Sequence, residues 1–280
     1  MELKSDDLSD LEASRVTKEE WREYTKTVWQ IANVSHSAHP AVFPIEIPKR
    51  LIKLFTFVGE TVLDPFAGVG TTALAAASLG RDSIAIEQNA EYCALMRRTL
   101  SPGVEIRKGD ARKVLETVPD GSVSLVVTSP PYWNKADYGK GRSNLGNIAS
   151  YPAFFRAIRP VFEQCFRVLQ PARKLALVTA NVNQHTDEGL LTFPLATDFV
   201  VLLRDIGFVM VNEVIWSKDG TGGKWGSWGA QRPIFGSYPF PPNFLFKNVH
   251  EYVLVFAKPR EKARTGPKVI KYSELMELDR

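Results

Sequence analysis

Short apolar runs alternate with stretches of helical periodicity along most of the chain. Residues 61–63, 83–86, 104–106 and 123–128 are runs of strand length, rich in Val, Ile and Leu. Between them, residues 71–79 form an Ala-rich helical stretch with Gly80 at the closing position, where a left-handed residue ends a helix. Asn89 can cap a helix running to Leu100, and residues 111–118 predict another short one. Pro119, Asp120, Gly121 and Ser122 have turn chemistry. Phe154, Phe155, Ile158, Phe162, Phe166 and Leu169 repeat at helical spacing over residues 153–169. Residues 175–179 predict a fifth strand, and residues 195–205 a helix stopped near Gly207. Residues 208–216 and 251–257 alternate well enough to form two more strands, a hairpin at the sheet edge. Ahead of all these, residues 18–30 predict a short helix. Strand and helix in alternation predict an α/β fold: a doubly wound, mostly parallel seven-stranded sheet.

One segment breaks the rhythm. Residues 217–248 are too long and too rich in Gly and Pro for a simple connection, and loops of that length in a compact domain are usually functional or disordered. Tryptophans and phenylalanines within it favour function.

Composition narrows the classes. The chain has 280 residues, 44% hydrophobic and 24% charged, which suits one large α/β core with insertions. Apolar stretches long enough to span a bilayer are missing from the sequence, and a membrane partner is not expected. The first twenty residues are polar and acid-rich, unlike a secretory signal. Cys93 and Cys165 are the only cysteines, which suggests a reducing, cytoplasmic setting. Four histidines without paired spacing give no metal signature. The net charge of +4 permits a polyanionic partner without demanding one.

Candidate chemistry concentrates in two places. The first is Asp64, Pro65, Phe66, Ala67, Gly68, Val69, Gly70, Thr71 and Thr72, where a strand runs through glycines into a helix. Such a turn brings bare backbone and helix N–H groups toward a ligand. Gly68, Gly70 and Ala73, with Glu87 ending the next strand, also satisfy a dinucleotide-binding pattern. Asp64 separates the readings. A pyrophosphate about 4 Å from that carboxylate would be repelled by roughly 4 kcal/mol at an effective dielectric of 20. S-adenosyl-L-methionine has no phosphate and carries an ammonium and a sulfonium, so an acidic mouth suits it. Glu87 would then accept from both ribose hydroxyls, and Asp110 from the adenine amino group. Each acid could instead cap a helix or line a solvated turn.

The second place is Ser129, Pro130, Pro131 and Tyr132, closing the fourth strand with Trp133 behind it. Ligands of open α/β sheets bind at the carboxyl ends of the strands, so this turn and the glycine loop should face one crevice. Prolines fix an extended turn and leave the carbonyls of Ser129 and Pro130 as acceptors. An exocyclic base nitrogen, its lone pair conjugated into the ring, is a poor nucleophile. Two acceptors that hold its hydrogens favour the positively charged nitrogen developing during methyl transfer. Tyr132 offers a face for a base extruded from a duplex.

Together these segments resemble the amino-methylating DNA methyltransferases of bacterial and archaeal modification systems. His39, Pro40, Ala41, Val42, Phe43 and Pro44 are similar to the family's segment that packs on the cofactor's methionine end. Lys108, Gly109 and Asp110 are similar to its adenine-contacting motif, and residues 250–258 to its closing strand. The resemblance implies a methyltransferase domain over residues 29–260, after a polar leader (1–28) and before a tail (261–280). Within it, residues 29–118 would be the cofactor half, 119–216 the catalytic half, 217–248 a target-recognition insert and 249–260 the closing strand. It implies S-adenosyl-L-methionine as cofactor, double-stranded DNA as substrate and a cognate restriction endonuclease as a possible partner. The serine of the tetrapeptide points to the 4-amino group of cytosine, since adenine enzymes usually carry Asp or Asn there. In the insert, Lys224 and Arg232 could neutralise phosphates, Arg232 and Asn243 read base edges, and Trp225, Trp228 and Tyr238 fill the space left by an extruded base. Residues 133–147 could form a lid. Two departures stand out: the cofactor half precedes the catalytic half, and Pro171, Ala172, Arg173 and Lys174 occupy a place where relatives usually have a glycine turn.

Overall fold

The computed structural model describes residues 5–34, 42–101, 103–133, 144–218, 240–242, 246 and 248–262. The elements are α1 (Ser5–Ala13), α2 (Lys18–Tyr24), β1 (Val28–Gln30), α3 (Glu46–Phe55), β2 (Thr61–Asp64), α4 (Thr71–Ser78), β3 (Asp82–Glu87), α5 (Ala90–Thr99) and β4 (Val104–Lys108). They continue with α6 (Ala111–Val114), β5 (Val123–Thr128), α7 (Tyr151–Val168), β6 (Leu169–Thr179), β7 (Val182–Thr186), β8 (Gly189–Phe193), α8 (Leu195–Ile206), β9 (Val209–Ser217) and β10 (His250–Ala257).

The main sheet runs β1-β9-β10-β6-β5-β2-β3-β4. It has eight strands rather than the expected seven, because residues 18–30 do not make one helix. Thr17 caps α2 in a reciprocal box with Glu20, the helix stops at Tyr24, and Val28–Gln30 pairs in parallel with β9. The expected leader boundary at residue 28 therefore cuts through a strand. β9 and β10 pair antiparallel as expected, but β1 takes the edge and β10 sits inside, against β6. Among these eight strands β10 alone runs against the rest. A two-stranded hairpin, β7–β8, was not foreseen.

Both faces of the sheet are covered, as a parallel sheet requires. Leu175 and Leu177 on β6 and Leu254 and Phe256 on β10 point into one buried cluster, which also takes α7 and α8. Their neighbours Ala176, Val178, Val253 and Val255 point into the other, with Ile47, Leu51 and Ile52 of α3. Pro160 lies inside α7 and costs roughly 3 kcal/mol of helix stability. Phe154, Ile158, Val161, Phe162 and Val168 are buried along the same helix, and at about 1.5–3 kcal/mol each they outweigh it.

The odd tetrapeptide before the fifth strand has a geometric explanation. β6 starts at Leu169, not 175, and its pairing with β5 jumps from Val123↔Leu169 to Leu125↔Lys174. Inside the jump Ala172 adopts a left-handed backbone (φ 66°), and its N–H donates to the Lys258 carbonyl at 3.0 Å. A glycine would enter this conformation freely, whereas a residue with a Cβ is strained there by about 1–2 kcal/mol. Ala172→Gly should therefore stabilise the protein by about 0.5–1 kcal/mol, after the greater freedom of glycine in the unfolded chain is subtracted. Urea unfolding midpoints check this, and an unchanged or lower midpoint would contradict it.

Candidate active site

The carboxyl ends of β2, β3 and β5 carry the two motifs. β2 ends on Asp64, which is 3% exposed. Its Oδ1 accepts from the Phe66 N–H at 3.0 Å and the Thr128 hydroxyl at 2.7 Å, while Oδ2 accepts from the Thr72 hydroxyl at 2.7 Å. Those donors belong to the glycine loop, the end of β5 and the first turn of α4. The expected acidic mouth is thus not Asp64: its carboxylate lies under the loop, turned inward. Burial raises its pKa to about 6, and the three hydrogen bonds oppose the rise.

Glu87 is the more exposed of the two acids. Half-buried at the end of β3, it accepts from the Gly68 N–H at 2.8 Å and the Asn89 N–H at 2.7 Å. Burial raises its pKa and those two N–H groups oppose the shift. Asn89 itself caps α5 as expected, accepting from the N–H groups of Glu91 and Tyr92. Gly68 and Gly70 both have positive φ, 54° and 91°. At Gly70 the Cβ of any other residue would lie 2.9 Å from the Met96 side chain, so both the left-handed backbone and the approach of α5 call for glycine here.

Other expected residues fall as follows. Pro65 is buried, while Phe66 and Thr71 are half-buried. Asp110 takes the capping alternative: it accepts from the Arg112 N–H at 3.0 Å and pairs with the Arg112 guanidinium at 2.5 Å. Phe43 packs against the cluster built on Trp29 and Ile47. His39 and Pro40, most of the expected lid, and Lys224, Trp225, Trp228, Arg232, Tyr238 and Asn243 lie outside the described residues.

Ser129 is half-buried directly after Thr128, Pro130 is buried and Pro131 half-buried. Tyr132, expected to offer an open face, is 7% exposed, and its hydroxyl donates to Glu251 Oε2 at 2.7 Å. Trp133 anchors the exit of the turn. Its ring meets Tyr151 edge-on at 5.0 Å and Phe193 at 4.6 Å, and its indole N–H donates to the Ile148 carbonyl at 2.9 Å. Both cysteines are buried. Cys93 donates to the Glu87 carbonyl at 3.4 Å, and burial raises its pKa and keeps it an unreactive thiol.

Thr128, Glu251 and Phe193 were not singled out in advance. Thr128 gave a faint signal, a hydroxyl ending an apolar strand. Glu251 gave another, an acid beginning one.

The tetrapeptide and the glycine loop thus meet at one edge of an α/β sheet, joined through Asp64. A family model described as DNA methylase, N6_N4_Mtase, matches residues 1–98 and 123–278. The chain belongs to this DNA methylase family. Among the chain's relatives are the Type II methyltransferase M.BglI of Bacillus subtilis, 39% identical over 109 residues, and M.MjaI of Methanocaldococcus jannaschii, 39% identical over 107. The matches cover 38% and 36% of this chain but only 31% and 32% of those proteins. A Thermus thermophilus protein, provisionally named a DNA modification methylase and solved with S-adenosyl-L-methionine, is 32% identical over 57% of each chain, with a TM-score of 0.40.

Asp64 gives a signed prediction. With the folded pKa raised from 3.8 to about 6, the folded protein holds a proton there that the unfolded chain has released. The resulting stability is complete below about pH 4 and is lost as pH rises through about 6, a change of about 3 kcal/mol. Asp64→Asn has no such titration, and Glu87 titrates in both proteins. The unfolding free energy of the wild type should therefore fall relative to Asp64→Asn across that window. Parallel pH profiles would contradict the assignment.

Proposed function

We propose that this protein transfers a methyl group from S-adenosyl-L-methionine to the exocyclic 4-amino group of cytosine in double-stranded DNA. The observation that carries this reading is the shared carboxylate. Asp64 accepts from the glycine loop through Phe66, from α4 through Thr72 and from the residue preceding Ser129 through Thr128. A donor site and an acceptor site held in one frame is what direct transfer between two bound molecules needs.

The residues present fit the cofactor. Glu87 takes the backbone N–H groups of Gly68 and Asn89 on its two oxygens, with a further backbone contribution from Gln88, which leaves some lone-pair capacity for the hydroxyl donors of the ribose. Such donors would also relieve a carboxylate whose burial is only partly compensated. Asp64, beneath the loop, contributes negative potential toward a cationic ligand without touching it. Asp110 remains a candidate for the adenine edge only if its pairing with Arg112 opens. When bound, the cofactor supplies an electrophilic methyl on a sulfonium.

The chain's own part is to hold the acceptor nitrogen. Ser129 Oγ and the Pro130 carbonyl would accept its two hydrogens and stabilise the positive charge that grows there. Tyr132, buried beside them, would wall the base pocket. The insert leaves from Ser217 and returns at His250, paired neighbours at the carboxyl edge of the parallel strands. Its Lys, Arg and aromatic residues are the groups that would meet the DNA. Relatives named Type II methyltransferases support a role in DNA modification, with an endonuclease of the same site specificity as the natural partner.

Incubation with unmodified plasmid and cofactor, followed by hydrolysis and mass spectrometry of the nucleosides, should yield cytosine methylated on its 4-amino group. Ser129→Ala should lower turnover by about 10²–10³ with smaller effects on binding. Methyladenine as sole product would overturn the base assignment and keep the chemistry. Methyl transferred only to RNA or protein, or to a ring carbon, would overturn the proposal.

A further inference from the structure

One carboxylate ties the tetrapeptide to the neck of the insert. Glu251 is the second residue of β10, and because β10 runs against its neighbours it lies at the same edge as the carboxyl ends of the parallel strands. Its Oε2 accepts from the Tyr132 hydroxyl at 2.7 Å, and its Oε1 from the Lys218 ammonium at 2.5 Å. Lys218 is the last described residue before the long segment of the insert, and its own N–H donates to the Val249 carbonyl on the returning side at 2.9 Å. The lysine is further fixed over the Trp216 ring, 4.4 Å from its centroid. Trp216 is in turn buried, its indole N–H donating to the Ile31 carbonyl at 2.8 Å. The side chains of Lys218 and Glu251 are only 15% and 13% exposed, so solvent and salt screen the pair little.

We propose that Glu251 is a positioning residue for methyl transfer: it sets the Tyr132 ring in the base pocket and ties that setting to the neck of the insert. The inference rests on the methylase reading above. Chemistry distinguishes this role from ordinary packing. A carboxylate can accept from a phenol and an ammonium at once through charge-assisted hydrogen bonds. Glutamine has nearly the same shape but a single acceptor oxygen, so its amide N–H groups must face either Tyr132 or Lys218. With that oxygen on Lys218, which can only donate, the amide N–H must donate to the Tyr132 oxygen, so the charge-assisted hydrogen bond to Tyr132 becomes a neutral one of reversed direction.

The test is a kinetic cycle on duplex DNA with Tyr132→Phe, Glu251→Gln and the double variant, each checked for folding by circular dichroism. Each single variant should lower single-turnover transfer about 10–100-fold, the range expected for losing a hydrogen bond to a charged group. The double variant should be no slower than the slower single one, since both report one contact. Cofactor affinity should not change. If Glu251→Gln fails to fold, Lys218→Met paired with Tyr132→Phe replaces it, with the same sub-additive result expected. Multiplicative losses, or loss spread equally over cofactor binding and transfer, would overturn the positioning role while active wild type upheld the methylase reading. Wild type that transfers nothing to any DNA would overturn both.

Discussion

A carboxylate sealed under a glycine loop must find donors, and those that satisfy Asp64 come from three separate segments. The Phe66 N–H lies in the loop, Thr72 at the start of α4, and Thr128 on the last residue of β5. An unmade hydrogen bond to a buried charged group costs more than a typical net bond contributes, so the three segments are held to one geometry. The end of β5 then dictates where Ser129 begins, and the loop dictates where Gly68 meets Glu87. From this frame the tetrapeptide reaches across β6 to Glu251 on β10, and the insert is anchored beside it. The candidate site is in that sense a chain of satisfied acceptors along one edge of the sheet.

The same edge explains why chemistry and recognition separate along the sequence but not in space. Parallel strands deliver their carboxyl ends to one side, and the single reversed strand delivers its beginning there as well. Residues far apart in number, such as Tyr132 and Glu251, become neighbours. Aromatic packing secures the exit of the turn, where Trp133, Tyr151 and Phe193 form a mutual three-ring cluster. Phe193 belongs to the β7–β8 hairpin, so this small hairpin supports the exit from the tetrapeptide.

How legible the fold was depended on how local the signals were. Strands such as β5 and helices such as α8, with Gly207 left-handed at its end, declare themselves through a few consecutive residues. The three-residue β1 did not, because it is a strand only by virtue of pairing with β9. The bulge at Ala172 was visible as an oddity, yet its cause is a register jump between two strands. The same division runs through the site. Motif positions were readable, but side-chain direction was not: Asp64 turned inward and Asp110 capped a helix. Tyr132 turned to Glu251. Each outcome is set by partners from distant segments, which spacing alone does not encode.

The central claim is that one buried carboxylate couples the tetrapeptide strand to the cofactor loop, and Thr128 tests it most directly. Thr128→Val keeps the shape of the side chain and removes one donor to Asp64, on the strand that carries Ser129 rather than on the loop. Calorimetric titration with S-adenosyl-L-methionine should show affinity weakened roughly tenfold in a folded variant, the scale of one lost hydrogen bond to a charged group. Unchanged affinity in that folded variant would show that the two segments are merely adjacent, and would contradict the account.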